Sequence, residues 1–472
     1  MSHALLQAWE RTWTRRGAAP AIMQASDRRI CTFRELELRS AGWLAAHAPL
    51  AACSLEGHAV VFAAPNGIGW FEIFLGLLRA GAVVVPLDAA EPPAAQRRLA
   101  ETLRAGFWWD GSRLVALERP KRYRDPGVCL VKLTSGSTGR PRPLAFTAAQ
   151  LLADGRQVTL TMGIRPRDRN YALIPLGHSY GLGNLTIPLI AHGVPLVCGA
   201  AALPHAIARD FMQWRPTVFP GVPAVWRALA SAGVEPASLG SLRLAISAGA
   251  ALAPEAAREF AGRFGRRLHN FYGSSETGGI AYDPSGDDTV AGGVGPALHG
   301  VEVTRLRGKR IRVCSAAVFT QANRRRRGRF GCWRPPDLVS LDGRGGLRLA
   351  GRLGRTVKIA GRRVNLGEIE ARLRSLAGFR DAWAGIGPGA HPALGAALAT
   401  DRPASELRAE LLTDTASWKI PKKWIVLPAL PLSGRGKVDT QVLSARLFGQ
   451  DARESVASIS TTRSARQISA FR

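Results

Sequence analysis

The chain has 472 residues, 46% of them hydrophobic, and a formal net charge of +29. That length exceeds one compact domain and suggests two or three. No apolar run reaches the roughly 18–20 residues needed to span a bilayer, and the N-terminus lacks an uninterrupted apolar h-region, so neither a transmembrane segment nor a signal peptide is expected, and the expected location is the cytoplasm.

The charge allows two readings. One is an anionic partner: nucleic acid, a membrane surface or a phosphorylated ligand. The other is an arginine-rich solvated surface. The one dense run, "ANRRRRGRFG" (322–331), is short and reads as a basic loop between strands. Cys31, Cys53, Cys129, Cys198, Cys314 and Cys332 form no CxxC and no zinc-spaced cluster, so no structural metal is expected. Scattered thiols of this kind fit a reducing compartment.

In chain order, "HAVVFAA" (58–64) reads as a buried strand, 67–81 as a helix with a glycine at its C-cap, and "AVVVPLD" (82–88) as a second strand. This is one βαβ unit of a parallel sheet. The pattern recurs. "VCLVKL" (128–133) leads into a Gly/Ser/Thr loop, and a helix follows from Thr147 as N-cap. Strands are expected at 171–176, 195–199, 242–249 and 268–273, and helices at 223–233 and 253–265. After about residue 290, short glycine-punctuated strands suit a small antiparallel or barrel-like unit. Residues 355–447 alternate strands and helices as a compact α+β unit. The tail is Ser/Arg-rich, weakly apolar and reads as disordered.

Three loops at strand ends share one character: "TSGSTG" (134–139), "SAGAAL" (247–252) and "YGSSETGG" (272–279). Glycine lets consecutive N–H groups aim at one anion, and Ser and Thr add hydroxyl donors. The first loop lacks Walker A spacing, and none has the GxSxG of a nucleophile elbow.

As an ordered set, these loops resemble the motifs of the AMP-forming adenylating superfamily: acyl- and aryl-CoA synthetases, peptide-synthetase adenylation domains and luciferase. "LTSGSTGRPR" resembles its phosphate loop, "PLGHSYG" (175–181) its acyl-site motif and "YGSSETG" its YGxTE motif. "PPDLVSLDGRGGLRLAGR" resembles the TGD…DG…GR stretch, "VKIAGRRVNLGEIE" the C-terminal hairpin and helix, and "LPLSGRGKVD" (430–439) the catalytic-lysine motif. The resemblance runs from about residue 5 to 447. It implies an α/β fold, with a large N-terminal domain (1–353) of layered βαβ sheets plus a small barrel-like unit. A small mobile C-terminal α+β domain (354–447) would follow, then the disordered tail (448–472).

The resemblance also implies roles. Thr134, Ser135, Gly136, Ser137, Thr138 and Gly139 would hold the β- and γ-phosphates of ATP, helped by Arg142 where the family has Lys. Pro143 replaces the usual Gly. Glu276 would ligate Mg²⁺, and Ser275 would contact the α-phosphate. Tyr272 would stack on adenine beside Gly249, Ala250 and Ala251. Asp337 would accept from the ribose hydroxyls, although Pro335-Pro336 replaces the family's Thr-Gly. Arg352 would face the ribose or phosphates. Lys437 would bridge the substrate carboxylate and the α-phosphate. Gly354 would be the hinge, with Lys358 and Gly361 on the hairpin that enters the site for thioester formation.

His178, Tyr180, Gly181, Gly221, Val222 and Ala248 would line a small apolar acyl pocket. Residues 175–190 contain no acid to hold a substrate ammonium, which disfavours amino acids. The expected substrate is an aryl or fatty acid. The expected acceptor is CoA, or alternatively an acidic phosphopantetheinyl carrier protein. A nucleic-acid-binding protein on an inactive ligase scaffold is the remote alternative.

Overall fold

The computed structural model describes residues 4–47, 54–135, 141–319, 331–343, 345–352, 356–359, 362–374, 376, 379–387, 393–412, 420–433 and 437–449. Gly136, Ser137, Thr138, Gly139, Gly354, Gly361, Arg324–Arg327 and the tail from 450 lie outside the described residues, as do the side chains of Ser135, Arg352 and Lys358.

Two sheets dominate. The first has six strands in the order Leu114–Ala116, Phe107–Trp109, Ala59–Ala63, Val83–Leu87, Val128–Ser135, Pro141–Thr147. Its centre is parallel and its two edges antiparallel. The second has eight strands, from Gly278–Tyr282 at one edge through Leu268–Ser274, Leu244–Ser247, Val218–Gly221, Asn170–Ala172, Leu196–Cys198 and Pro20–Gln24 to Arg29–Thr32. The largest core takes residues from both sheets (Val60, Phe62, Val84; Ile22, Leu196) and from the helices Ile68–Arg79 and Ala148–Thr161. Helices buried against two sheets explain why Ile68–Arg79 is apolar on nearly every face. Gly81, at φ +71°, ends that helix in the left-handed conformation.

Thr147 caps its helix as expected. Its Oγ1 accepts from the Gln150 N–H at 3.3 Å, and the Gln150 side chain accepts from the Thr147 N–H at 2.8 Å, a capping box. Two expectations about length are corrected. The strand expected at 171–176 stops at Ala172, because Asn66 takes the backbone groups of Ala172, Ile174 and Leu176 that a longer strand would pair. The segment between the Gly/Ser/Thr loop and Thr147 is a strand, Pro141–Thr147, antiparallel to Val128–Ser135. It tolerates Pro141 and Pro143 because it is an edge strand, where a missing N–H costs no ladder bond.

After residue 300 come a three-stranded sheet (Glu302–Arg305, Ile311–Ser315, Gly331–Trp333) and a hairpin (Asp337–Leu341, Leu347–Arg352) joined to it by an Arg310–Leu338 bridge. The expectation of scattered free thiols is corrected here. Cys314 and Cys332 sit opposite each other in register, with Cα atoms 4.1 Å apart, and form a disulfide. Cys31, Cys129 and Cys198 are free and buried, and burial pushes each thiol up, Cys31 to about 11 and the other two to about 12. The C-terminal residues build their own cores from Leu366–Ile420 and Trp383–Leu447, around the sheet Phe379–Ile386, Leu394–Thr400, Lys423–Leu427. Among the described residues no helix is long and apolar enough to cross a membrane.

Non-reducing peptide mapping should recover one crosslink, between the peptides carrying Cys314 and Cys332. A crosslink spanning 18 residues contributes about 3 kcal/mol, so Cys332→Ser should lower the unfolding free energy by that order. Recovery of both cysteines as free thiols from oxidised protein would contradict the pairing.

Candidate active site

The eight-stranded sheet ends three of its strands in one region. Strand Leu268–Ser274 carries Tyr272, 7% exposed, whose hydroxyl donates to Asp337 Oδ2 at 2.8 Å. Asp337 opens the small hairpin, so the aspartate is in place despite Pro335-Pro336. Strand Leu244–Ser247 runs into Gly249, Ala250 and Ala251, all exposed. Gly249 has φ +86°, a conformation that strains any residue with a Cβ. Between Ser274 and Gly278 the chain turns through Ser275 and Glu276, both half-buried. Ser274 and Thr277 hydroxyls bond at 3.0 Å across this turn, and the Glu276 carbonyl accepts from Phe319 N–H at 3.0 Å.

The six-stranded sheet supplies the Gly/Ser/Thr hairpin. Thr134 stands opposite Arg142 and Ser135 opposite Pro141. Arg142 is exposed, and its guanidinium lies over the rings of Phe319, at 5.9 Å, and Trp333, at 5.7 Å.

In the expected acyl motif (175–181), His178 precedes the short helix Ser179–Gly181 and a π-helical turn, Leu182–Thr186. Tyr180 is half-buried, and desolvation pushes its phenol well above the usual range and keeps it a neutral donor. Its hydroxyl is aimed at the carbonyls of Gly221, at 3.3 Å, and Ile246, at 3.4 Å, and its ring lies 5.8 Å from Phe271. Ala248 N–H donates to Gly221 O at 3.2 Å, which draws Ala248, Gly221 and Tyr180 together; Val222 follows Gly221. Gly181 follows Tyr180 in the same short helix. A Cβ there would stand 2.0 Å from the Pro175 carbonyl oxygen, so it faces backbone.

Sequence reasoning missed five groups. Asp88, at the end of Val83–Leu87, points Oδ2 at His178 Nε2, 3.7 Å away, while its Oδ1 accepts from Ala90 N–H. Lys132, on the hairpin's first strand, and Asp154, on the helix that follows it, are both buried, 3% and 4% exposed. Burial pushes Lys132 down, opposed by Asp154 and Glu276. It pushes Asp154 up, opposed by Lys132 and a hydrogen bond from Gly279 N–H. A lone lysine in the apolar run "VCLVKL" was the available signal. Phe319 and Trp333 carried none.

Among the described residues no three His, Cys, Asp or Glu side chains converge as a metal cage. A Mg²⁺ held by Glu276 would take its other ligands from phosphate and water, which is this ion's usual habit. Lys437 is exposed, on a turn closed by Ser433 N–H to the Lys437 carbonyl at 2.7 Å. The C-terminal unit meets the large domain through an Arg227–Asp381 ion pair of 3.8 Å.

Glycine-rich loops at the strand ends of an open α/β sheet, beside a carboxylate, stand where such folds bind their ligands. The profile of the family described as "AMP-binding enzyme" matches residues 106–306. The chain is 30% identical, over 74% of its length and 67% of the relative's, to 2-hydroxy-7-methoxy-5-methyl-1-naphthoate–CoA ligase of Streptomyces carzinostaticus. It is 26% identical to the feruloyl-CoA synthase of an Amycolatopsis species, covering 81% of this chain and 87% of that one. ATP-bound MatB of Rhodopseudomonas palustris shares its fold with a TM-score of 0.78 at 22% identity, over 95% of this chain and all (100%) of that one. The chain belongs to the AMP-binding enzymes and is an AMP-forming ligase.

Tyr272→Phe keeps the ring and removes the hydroxyl held by Asp337. One such bond contributes about 0.5–1.5 kcal/mol, so KM for ATP should rise roughly two- to tenfold in pyrophosphate exchange, with KM for the acid unmoved. An unchanged KM for ATP would separate this pair from the nucleotide.

Proposed function

We propose that the protein activates a non-amino carboxylic acid, aryl or fatty, as its acyl-adenylate and transfers the acyl group to the thiol of CoA. The observation that carries this reading is the Tyr272–Asp337 hydrogen bond, which joins the candidate adenine and ribose residues beside the Glu276 turn. The aryl acids named in two relatives support the substrate class.

In the first half-reaction the substrate carboxylate attacks the α-phosphorus of ATP and expels pyrophosphate. The obstacle is negative charge, so the protein's work is positioning and charge stabilisation. Thr134, Ser135 and residues 136–139 would hold the terminal phosphates with Arg142, and Ser275 the α-phosphate. Mg²⁺ on Glu276 would neutralise the phosphate oxygens. Tyr272 with Gly249, Ala250 and Ala251 would hold adenine, and Asp337 and Arg352 the ribose. Lys437 would bridge the carboxylate and the α-phosphate. The chain would divide near residue 354, with Gly354 as hinge. Rotation would then bring Lys358 and Gly361 to the site, the thiol would attack the acyl carbon, and AMP would leave.

His178, Tyr180, Gly221, Val222 and Ala248 would form the acyl pocket. Asp88 adds an acid that residues 175–190 lack: its Oδ1 accepts from Ala90 N–H, and its buried Oδ2 accepts no hydrogen bond among the described residues and lies 3.7 Å from His178 Nε2. The net charge of +29 favours a second reading for the acceptor, an acidic phosphopantetheinyl carrier protein.

A panel of carboxylic acids with ATP and free CoA tests the reading. At least one aryl or fatty acid should give AMP and a CoA thioester in equal amounts. AMP release only with a carrier protein would favour the second acceptor, and no AMP with any acid would contradict both. Lys437→Ala should abolish adenylation while sparing thioester formation from supplied acyl-adenylate. Equal loss in both halves would contradict its role. Glu276→Gln should shift the Mg²⁺ dependence of exchange to higher concentration and leave KM for the acid unchanged. An unaltered Mg²⁺ profile would remove Glu276 from the metal.

A further inference from the structure

An aromatic wall stands against the hairpin proposed to bind phosphate. Phe146, on the returning strand, lies 6.4 Å from Phe319, and Phe319 lies 5.3 Å from Trp333, nearly edge-on at 75°. Two cations rest on this wall. Lys132 Nζ is 4.2 Å above Phe146, and the Arg142 guanidinium is within 6 Å of both other rings, at 5.9 and 5.7 Å. Phe319 and Trp333 come from a distant part of the chain. Each is fixed by other contacts: Phe319 N–H to the Glu276 carbonyl, and Trp333 through the strand whose neighbouring Cys332 is crosslinked to Cys314.

The chemistry of the guanidinium makes this arrangement useful. Its flat faces stack on aromatic rings, while its N–H donors lie in its own plane and stay free for two phosphate oxygens at once. A lysine ammonium offers no such division. An exposed arginine in a flexible rotamer would lose side-chain entropy on meeting an anion. One already stacked has lost much of it beforehand. Trp333 adds a second feature: its indole N–H is buried and has no hydrogen-bond partner among the described residues.

We propose that Trp333, with Phe319, clamps Arg142 in the orientation that meets the terminal phosphates of ATP, making Trp333 a positioning residue for the adenylation half-reaction. The proposal rests on the reading of the 134–142 hairpin as the phosphate site. It also accounts for arginine at position 142: the residue that can stack and chelate stands where rings are available.

The test is acid-dependent pyrophosphate exchange by the full-length protein. Arg142→Ala should raise KM for ATP. Trp333→Leu should raise it roughly two- to fivefold, the size of an exposed cation–ring contact, with KM for the acid unchanged, and Trp333→Phe should restore most of the loss. The double variant Arg142→Ala/Trp333→Leu should be no worse than Arg142→Ala alone. A second series avoids any folding defect of the leucine variant. Progressively fluorinated tryptophan at position 333 keeps the shape and depletes the ring face, so KM for ATP should climb with fluorine number. A flat fluorination series, or losses that multiply in the double variant, would overturn the clamp while leaving the hairpin reading intact. If Arg142→Ala leaves KM for ATP unchanged, the hairpin reading itself fails and the clamp with it.

Discussion

One hydrogen bond organises this molecule's site. Tyr272 lies near the end of a strand of the eight-stranded sheet, and Asp337 begins a hairpin 65 residues later; their contact at 2.8 Å ties the sheet to the hairpin. Tyr272 is nearly buried, so its hydroxyl needs a partner, and an aspartate is a strong one. The same oxygen-rich corner is what a ribose would meet. Around it, the Glu276 turn and the Gly249 loop take their positions from the strands that carry them. The site is therefore a consequence of where strands end, as in other open α/β sheets.

The second constraint is charge. A nucleotide triphosphate brings several negative charges into a half-buried space. The proposed answer is a set of fixed groups: Arg142 near two rings, Lys132 buried on the hairpin's own strand, hydroxyls at Thr134 and Ser275, and one carboxylate, Glu276, that would take a cation. Lys132 and Asp154 are both buried, and each tempers the cost of burying the other. Asp154 also accepts from Gly279 N–H at 2.9 Å, so this pair links the hairpin's helix to the strand after Glu276. The two sides of the cleft are thereby coupled electrostatically as well as by packing.

The alternation of apolar runs and glycine stops made the parallel layers legible, because buried strands and amphipathic helices leave local periodic signals. The Thr147 cap was legible for the same reason: its partner Gln150 is three residues away. Signals that depend on distant partners were not. Asn66 shortens the strand at Ala172 from over a hundred residues away. Pro141 and Pro143 disguise an edge strand, since proline argues against a strand until its edge position is known. The Cys314–Cys332 bond depends on strand register, and Asp88 reaches His178 only through the fold. The resemblance of ordered motifs supplied Tyr272, Asp337 and Glu276 together, and the structure brings the first two into contact. It did not supply Trp333 or Phe319, whose relation to Arg142 exists only in three dimensions.

Loops from both sheets and the small hairpin are proposed to form one adenylate site. A crystal structure with a non-hydrolysable acyl-adenylate mimic tests this most directly. Adenine should lie against Tyr272, the ribose hydroxyls on Asp337 and the acyl chain beside Tyr180 and Ala248. A mimic bound away from Asp337, with the Tyr272 ring untouched, would contradict it.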